Sequence, residues 1–209
     1  MKILATVAVT SMLILLAGSA HAQLDRTVYG LELGKPLSIH ECGLTKVYKK
    51  AYVYGYHDAD VCFQHQPAKF GDVWKVTEPV STPAINEEVK IIFPLDRHPQ
   101  ITVGDPIGTV VDGKLEGIRM KTGGVRTWDI VLDALTKKYG DPTARRDMQE
   151  SNLMGAKIPL IFAVWSSPEL IVEFTSVRPD DVTAGSVEVY TGVLAAKKKT
   201  VPSSAGPPL

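Results

Sequence analysis

Residues 107–142 read IGTVVDGKLEGIRMKTGGVRTWDIVLDALTKKYGDP, and they carry the clearest strand and helix signals of the chain. Two runs rich in β-branched and aliphatic residues, 107–111 and 114–121, flank the dipeptide Asp112-Gly113. That dipeptide favours the two-residue type I′ turn of a β-hairpin. The stretch therefore predicts a hairpin, after which the apolar spacing becomes helical.

The segment 125–139 has the periodicity of an amphipathic helix. Its apolar residues recur at spacings of three and four and so share one helix face: Trp128, Val131, Leu132, Leu135 and Tyr139. Gly140 stands where a C′ glycine belongs, and Pro142 cannot continue a helix. We predict a helix over 125–139 that buries one face and ends at Gly140.

Outside this stretch, β-branched and aromatic residues are concentrated in six segments, which we predict as strands: 27–33, 47–56, 88–94, 160–165, 169–175 and 186–193. Pro36 is placed to open a short helix that ends at Cys42. The resulting order, roughly β-(α)-β…ββαβββ, predicts an α+β fold. In this fold an antiparallel sheet carries one main helix and a shorter one on one face.

Residues 1–22 have the features of a secretory signal peptide. Lys2 precedes an apolar run over 3–18, and Ala20-His21-Ala22 provides an A-x-A cleavage site. The run is shorter than the roughly 20 residues that a membrane-spanning helix needs. We predict cleavage after Ala22 and a soluble protein that is periplasmic or secreted and has no membrane anchor.

After cleavage, residues 23–193 are expected to form a single α+β domain. Any seam within it is expected in the segment 63–105, whose first half carries three prolines and little periodicity. The segment 194–209 is rich in Lys, Pro and Ser and has little to bury. We predict that it is a disordered basic and Pro-rich tail.

The chain has two cysteines, Cys42 and Cys62, and both lie in the predicted exported part. An oxidising compartment lets a disulfide form and persist. In the chain-entropy model, closing a loop of this size contributes about 3 kcal/mol, a large part of the roughly 5–15 kcal/mol by which domains are stable. We predict a Cys42–Cys62 disulfide, with two free buried thiols as the alternative.

The charge balance and the missing motifs narrow the function classes. The 23 Lys and Arg residues match 23 Asp and Glu residues, whereas a nucleic-acid-binding domain normally carries a basic excess. The chain contains no nucleophile-elbow, zinc-protease or dinucleotide-binding motif. We therefore expect a protein that is not an enzyme, binds no nucleic acid and needs no cofactor.

Four of the seven tyrosines lie within nine residues: Tyr48, Tyr52, Tyr54 and Tyr56. All stand at even positions, so one strand would place them on one face, although a helical stripe fits three of them as well. Tyrosine combines a large rigid contact area with a polar tip and is enriched at binding hot spots. We predict a partner-binding tyrosine face; the alternative, that the rings cover a core edge, stays open.

A metal site is the weaker alternative. His57, Asp60 and His65 lie close together in the sequence, beside Cys62. Imidazole, carboxylate and thiolate groups are ligands for zinc or copper. Their spacing matches no standard zinc pattern, however, and the predicted disulfide would consume both sulfur atoms.

Two turn patterns resemble those of small exported bacterial α+β proteins. Residues 30–34 (GLELG) are similar to a G-x-x-L-G pattern, and residues 135–142 (LTKKYGDP) to an L-x-x-K-Y-G-x-P pattern. Such proteins include domains like the β-lactamase-inhibitor protein and the small outer-membrane-assembly lipoproteins. The resemblance implies an antiparallel sheet whose open face binds another protein. The chain departs from the lipoprotein members because Ser19 stands where they carry the lipidated cysteine.

Together these features predict a soluble exported protein that engages another macromolecule of the cell envelope, a protein or a glycan. Inhibitor, immunity-type and assembly-accessory proteins are of this kind. A small-ligand or metal-binding periplasmic protein is the alternative, and an envelope hydrolase is a more distant one. The sequence does not predict the oligomeric state.

Intact-mass spectrometry of the unfolded protein, recovered from the compartment to which it is exported, tests the predicted signal peptide and the predicted disulfide. We expect a chain that begins at Gln23, because the signal peptide is removed, and that lacks two hydrogens, because Cys42 and Cys62 are joined. A chain that still begins at Met1, or one that carries two free thiols, would contradict these expectations.

Overall fold

The computed structural model describes residues 24–48, 51–54, 60–65, 86–151, 155, 157–178 and 181–200. The strands, numbered in chain order, are β1 Thr27–Val28, β2 Leu31–Glu32, β3 Lys35–Pro36, β4 His40–Glu41, β5 Leu44–Tyr48, β6 Ala51–Tyr54, β7 Cys62–His65, β8 Asn86–Ile92, β9 Ile107–Val111, β10 Lys114–Thr122, β11 Ala144–Ser151, β12 Lys157–Ser166, β13 Leu170–Thr175 and β14 Gly185–Thr191. The helices are α1 Trp128–Tyr139 and α2 Gly192–Thr200. Short 3₁₀ turns lie at Leu95–Arg97 and Gly124–Arg126.

One ten-stranded sheet organises the described residues. Its strand order is β11-β12-β13-β14-β10-β9-β8-β7-β4, and β3 pairs with the first residues of β10. Neighbouring strands run antiparallel, except that β4 and β7 are parallel. The pairs β1–β2 and β5–β6 form two small sheets of their own. This sheet-rich arrangement with two helices agrees with the predicted α+β class.

The main core lies between α1 and one face of the sheet, which we call the inner face. The buried residues of α1 are those that the periodicity predicts, apart from the half-buried Trp128: Val131, Leu132, Leu135 and Tyr139. They share one core with alternate residues of β12, β13 and β14, among them Trp165, Phe174 and Val187. The opposite side of the sheet, the outer face, carries polar residues and a small second core in which Leu194 of α2 packs against Val111 and Tyr190.

The turn and cap predictions of the first stretch are confirmed. Asp112 and Gly113 have φ values of 50° and 75°, and they join β9 to β10. The helix ends at Tyr139, and the Gly140 N–H donates to the Thr136 carbonyl at 2.9 Å. Cys42 and Cys62 form the predicted disulfide, with their Cα atoms 4.9 Å apart.

Three local predictions before residue 60 are wrong. The segment 36–42 is not a helix, because β3 pairs with β10 and β4 pairs with β7. The segment 27–33 is not one strand but the hairpin β1–β2, which turns at Tyr29 and Gly30 with positive φ. The segment 47–56 is not one strand either, because the chain reverses between β5 and β6.

The strand order and the tail prediction also need correction. Four strands follow α1, not three, because β11 pairs along its whole length with β12. Residues 194–200, predicted as disordered tail, belong to α2, and Leu194 is only 8% exposed. The predicted signal peptide 1–22, the segment 66–85 and residues 201–209 lie outside the described residues. In the described part of the chain, no helix is both long and apolar enough to cross a membrane.

Gly113 and Gly124 both have positive φ, but they differ in how closely other parts of the chain approach them. At Gly124, a Cβ would collide with the backbone of Val182 and Thr183, whereas at Gly113 it would meet no atom within 4 Å. We expect Gly113→Ala to lower the free energy of unfolding by about 1–2 kcal/mol, from backbone strain alone. Gly124→Ala should lower the free energy of unfolding by an additional ~1–3 kcal/mol, because its Cβ is also overpacked against neighbouring backbone. Urea unfolding measures both variants, and equal losses would contradict the close approach.

Candidate functional site

The outer face carries two rows of residues across five neighbouring strands, β13-β14-β10-β9-β8. The strand register aligns the first row in the order of these strands: Glu173, Glu188, Arg119, Ile107 and Lys90. In the second row, it places Ile171, Tyr190, Gly117, Thr109 and Glu88. The rows bring together charges that are far apart in the sequence.

A shallow groove of about 230 Å³ lies over the second row, and we call it the outer groove. Gly117, which has no side chain, and Thr109, which has a short one, both line it. Tyr190, Leu194 and Lys198 line it on the β14 side. Glu88 and Arg119 also line it. The groove thus lies between α2 and the side chains of Glu88 and Arg119.

A β-bulge explains why Gly117 lies on the outer face. The β9–β10 register shifts between Leu115 and Gly117, and Glu116 is the extra residue. As a result, Leu115 and Ile118 both contribute to the inner core although they are three positions apart. Gly117 then lies under α2, and a Cβ there would be only 2.6 Å from the Leu194 Cδ2 atom.

Helix α2 forms one wall of the outer groove and has two buried attachments. Leu194 packs against Val111 and Tyr190. At the start of the helix, the Thr191 hydroxyl accepts a hydrogen bond from the Leu194 N–H at 3.4 Å and donates one to the carboxylate of Glu116, which is 4% exposed. A negative charge is favourable at this end of a helix. The bulge therefore places the carboxylate that helps to anchor α2.

The charges around the outer groove pair with one another. Arg119 Nη2 lies 3.5 Å from Glu88 Oε1, and both side chains are about half exposed, at 50% and 49%. Lys198 pairs with Glu188, and its Nζ lies 4.0 Å from the centre of the Tyr190 ring, a cation–π geometry.

The Tyr190 hydroxyl donates to Glu173 Oε1 at 2.7 Å. Burial and, secondarily, this hydrogen bond raise the pKa of the Tyr190 phenol. Because its pKa already lies above neutrality in the free amino acid, the phenol stays protonated at neutral pH and remains a hydrogen-bond donor. Tyr190 thus fixes the carboxylate of Glu173 on the outer face while its ring supports Lys198.

The outer groove is lined by charged side chains of both signs together with Thr109, Tyr190 and Leu194. The groove is smaller than the roughly 300–1,000 Å³ of typical small-molecule pockets. It can receive a side chain of a partner, with charges of both signs at its rim.

The structure divides the predicted tyrosine face between two strands. Tyr48 ends β5, whereas Tyr52 and Tyr54 lie on β6, opposite Lys46 and Leu44. Of these three tyrosines, only Tyr52 and Tyr54 therefore lie on one strand, as the predicted shared face requires. Tyr56 lies outside the described residues, and the tyrosine face stays a prediction.

The β5–β6 hairpin belongs to the loop that the disulfide closes. Cys42 and Cys62 hold its two ends at the sheet: the Cys42 N–H donates to the Phe63 carbonyl at 2.8 Å, and Cys62 pairs with Ile92 of β8. Binding loops are commonly presented in this way by a rigid scaffold. The tyrosine-rich segment thus starts and ends at a fixed point of the sheet.

The described residues of the alternative metal site, Asp60 and His65, belong to separate ion pairs. Asp60 lies 3.3 Å from Arg97, whereas His65 Nδ1 lies 2.8 Å from Glu87 Oε2 and His65 Nε2 lies 3.7 Å from Glu41 Oε1. His57 falls outside the described residues. Within the ranges that the structure describes, no three His, Cys, Asp or Glu residues are grouped to hold a metal ion.

The residues of the outer groove were not predicted from the sequence. Glu88 and Lys90 alternate with buried residues on β8, and Arg119 and Lys121 do so on β10. That alternation indicates an exposed sheet face. It does not show that the strands are neighbours, and α2 was not predicted at all.

Comparison with protein-family models, curated proteins and solved structures finds no match to this chain. Its function must therefore be inferred from its own residues. The resemblance to exported proteins that bind a partner through an open sheet face remains a prediction.

Proposed function

We propose that this protein is an exported, disulfide-stapled binding protein that engages another macromolecule of the cell envelope through its outer face. Its partner is a protein or a glycan, and its role is that of an inhibitor, an immunity-type protein or an assembly-accessory protein. The observation that carries this proposal is the row of mixed charges beside the outer groove, formed by Glu173, Glu188, Arg119 and Lys90.

The chemistry of the outer face supports recognition. Arg is enriched among the residues that dominate binding energy, and the half-exposed Arg119 lines the outer groove. Exposed ion pairs such as Arg119–Glu88 contribute only about 0–1 kcal/mol each. A partner that offers its own charges can therefore replace these pairs at little cost.

The dimensions support a macromolecule over a small ligand. Five strands spaced about 4.8 Å apart make a surface roughly 20 Å wide. A standard protein interface buries about 800 Å² on each partner, and a face of this width supplies much of that area. The shallow groove within it suits one inserted side chain.

The disulfide supports export. Disulfides persist in the periplasm and outside the cell and are rare in the cytosol. The Cys42–Cys62 bond is therefore consistent with the predicted signal peptide and with a partner in the envelope.

A photo-crosslinking amino acid at position 88, beside Arg119, tests the proposed surface directly, because the Glu88 side chain is 49% exposed. We expect one defined adduct from position 88 in cells that export the protein, and none from position 133 on α1, where the Asp side chain is 62% exposed. The partner identified in this way is then used for affinity measurements. Equal adducts from both positions, or none from either, would count against the outer face.

With that partner, Arg119→Ala should weaken binding about tenfold, the effect of losing roughly 1.4 kcal/mol at a hot spot. The matched control is Lys137→Ala, which removes a 76%-exposed side chain from α1 and should leave the affinity unchanged. Both melting temperatures should stay near that of the wild type, because both side chains are at least half exposed. An unchanged affinity for Arg119→Ala contradicts the proposal.

The tyrosine prediction is tested separately with the double variant Tyr52→Ala, Tyr54→Ala. If these rings also contact the partner, capture weakens while the melting temperature stays nearly constant. A fall of several degrees in melting temperature would instead show that the rings cover part of the core.

A further inference from the structure

The strand β11 ends the sheet, and within the described residues no strand pairs with its far side. Its eight residues form an edge about 27 Å long at the spacing of an antiparallel strand. Ala144, Arg145, Arg146 and Asp147 are all exposed, although successive side chains point to opposite faces. Among the described residues, nothing covers either face of the strand at these four positions, so a further strand has room to approach.

From this edge we infer that two copies of the chain associate by pairing β11 with β11. The two strands run antiparallel about a twofold axis at Met148, and the two sheets become one. Long edges are usually protected from such pairing by charge. Here, however, the charges have both signs, and Arg145 is already bound to Asp147 on its own strand through two hydrogen bonds of 2.8 Å.

Symmetry restricts the possible registers. In a continuous sheet, residues that lie opposite each other point to the same face, so the twofold axis must pass through a residue that meets its own copy. An axis at Arg145, Arg146 or Asp147 would place identical charges directly opposite, which is unfavourable.

The register centred on Met148 avoids these repulsions. It sets Met148 opposite Met148 and places Arg146 opposite Glu150 of the second copy, twice by symmetry. Opposite charges in directly facing positions stabilise a strand pair. Asp147 then faces Gln149, and Arg145 faces Ser151. This register therefore gains two complementary pairs and has no like charges opposite each other.

This surface is distinct from the outer groove. Three strands, β12, β13 and β14, separate β11 from β10. A dimer formed through β11 leaves the half-exposed Arg119 and Glu88 accessible, and its presence or absence does not depend on whether the outer face binds a partner.

Cysteine crosslinking of the purified mature protein tests the register. Facing residues of antiparallel strands have Cα atoms about 4.5–5.5 Å apart, within the range that a disulfide spans. We expect Met148→Cys to form a disulfide-linked dimer under mild oxidation. The matched control Arg146→Cys should not, because its copies lie four residues apart along the strands, roughly 13 Å. Equal crosslinking of both variants, or crosslinking of neither, overturns the proposal.

Sedimentation analysis of charge variants gives an independent measure. Arg146→Glu sets Glu opposite Glu150, and Glu150→Arg sets Arg opposite Arg146, so each should weaken dimerisation about tenfold or more. The double variant restores opposite charges in both positions and should restore the dimer. Lys137→Glu makes the same charge change away from the edge and should have no effect. A wild type that stays monomeric at all concentrations, or a dimer indifferent to Arg146→Glu, contradicts pairing through β11.

Discussion

Helix α1 packs onto the inner face around Trp165, and this contact closes the main core of the protein. Trp165 is 1% exposed, and its indole N–H donates to the Gly140 carbonyl at 2.7 Å, which ties the end of α1 to β12. Truncating such an aromatic residue typically removes about 3–5 kcal/mol, a large part of the stability of a domain. Helix α1 covers only one side of a wide sheet. On the other side, the outer face, charged side chains pair with one another and α2 covers part of the surface.

The features that the sequence predicted correctly depend on local backbone geometry. Asp112-Gly113 specifies its turn, and Gly140 with Pro142 ends α1, whatever the rest of the chain does. The wrong predictions concern pairing between distant segments. Residues 35–36 are extended because they pair with the start of β10, despite a proline that suits a helix start. The strand β11 (ARRDMQES) was missed because an edge strand exposed on both faces shows no apolar alternation; its pairing with β12 makes it a strand.

The candidate site was less predictable for the same reason. Its residues come from β8, β10, β14 and α2, and the sequence shows neither that these strands are neighbours nor that a lysine-rich segment folds back on them. α2 forms because Leu194 finds space over Gly117, a contact that no local pattern indicates. The predicted tyrosine face required one strand over 47–56. The chain turns between β5 and β6 instead, so Tyr48 lies on a different strand from Tyr52 and Tyr54.

The walls of the outer groove differ in how firmly they are held. Its floor strands β9, β10 and β14 each have hydrogen-bonded neighbours on both sides. Helix α2 has one buried leucine, one capped end and ion pairs such as Lys198–Glu188, whose side chains are 45% and 28% exposed. Pairs of that kind contribute at most about 1 kcal/mol. Moving α2 therefore requires less free energy than moving any strand of the floor, so the shape of the outer groove is set by the sheet and its width by α2.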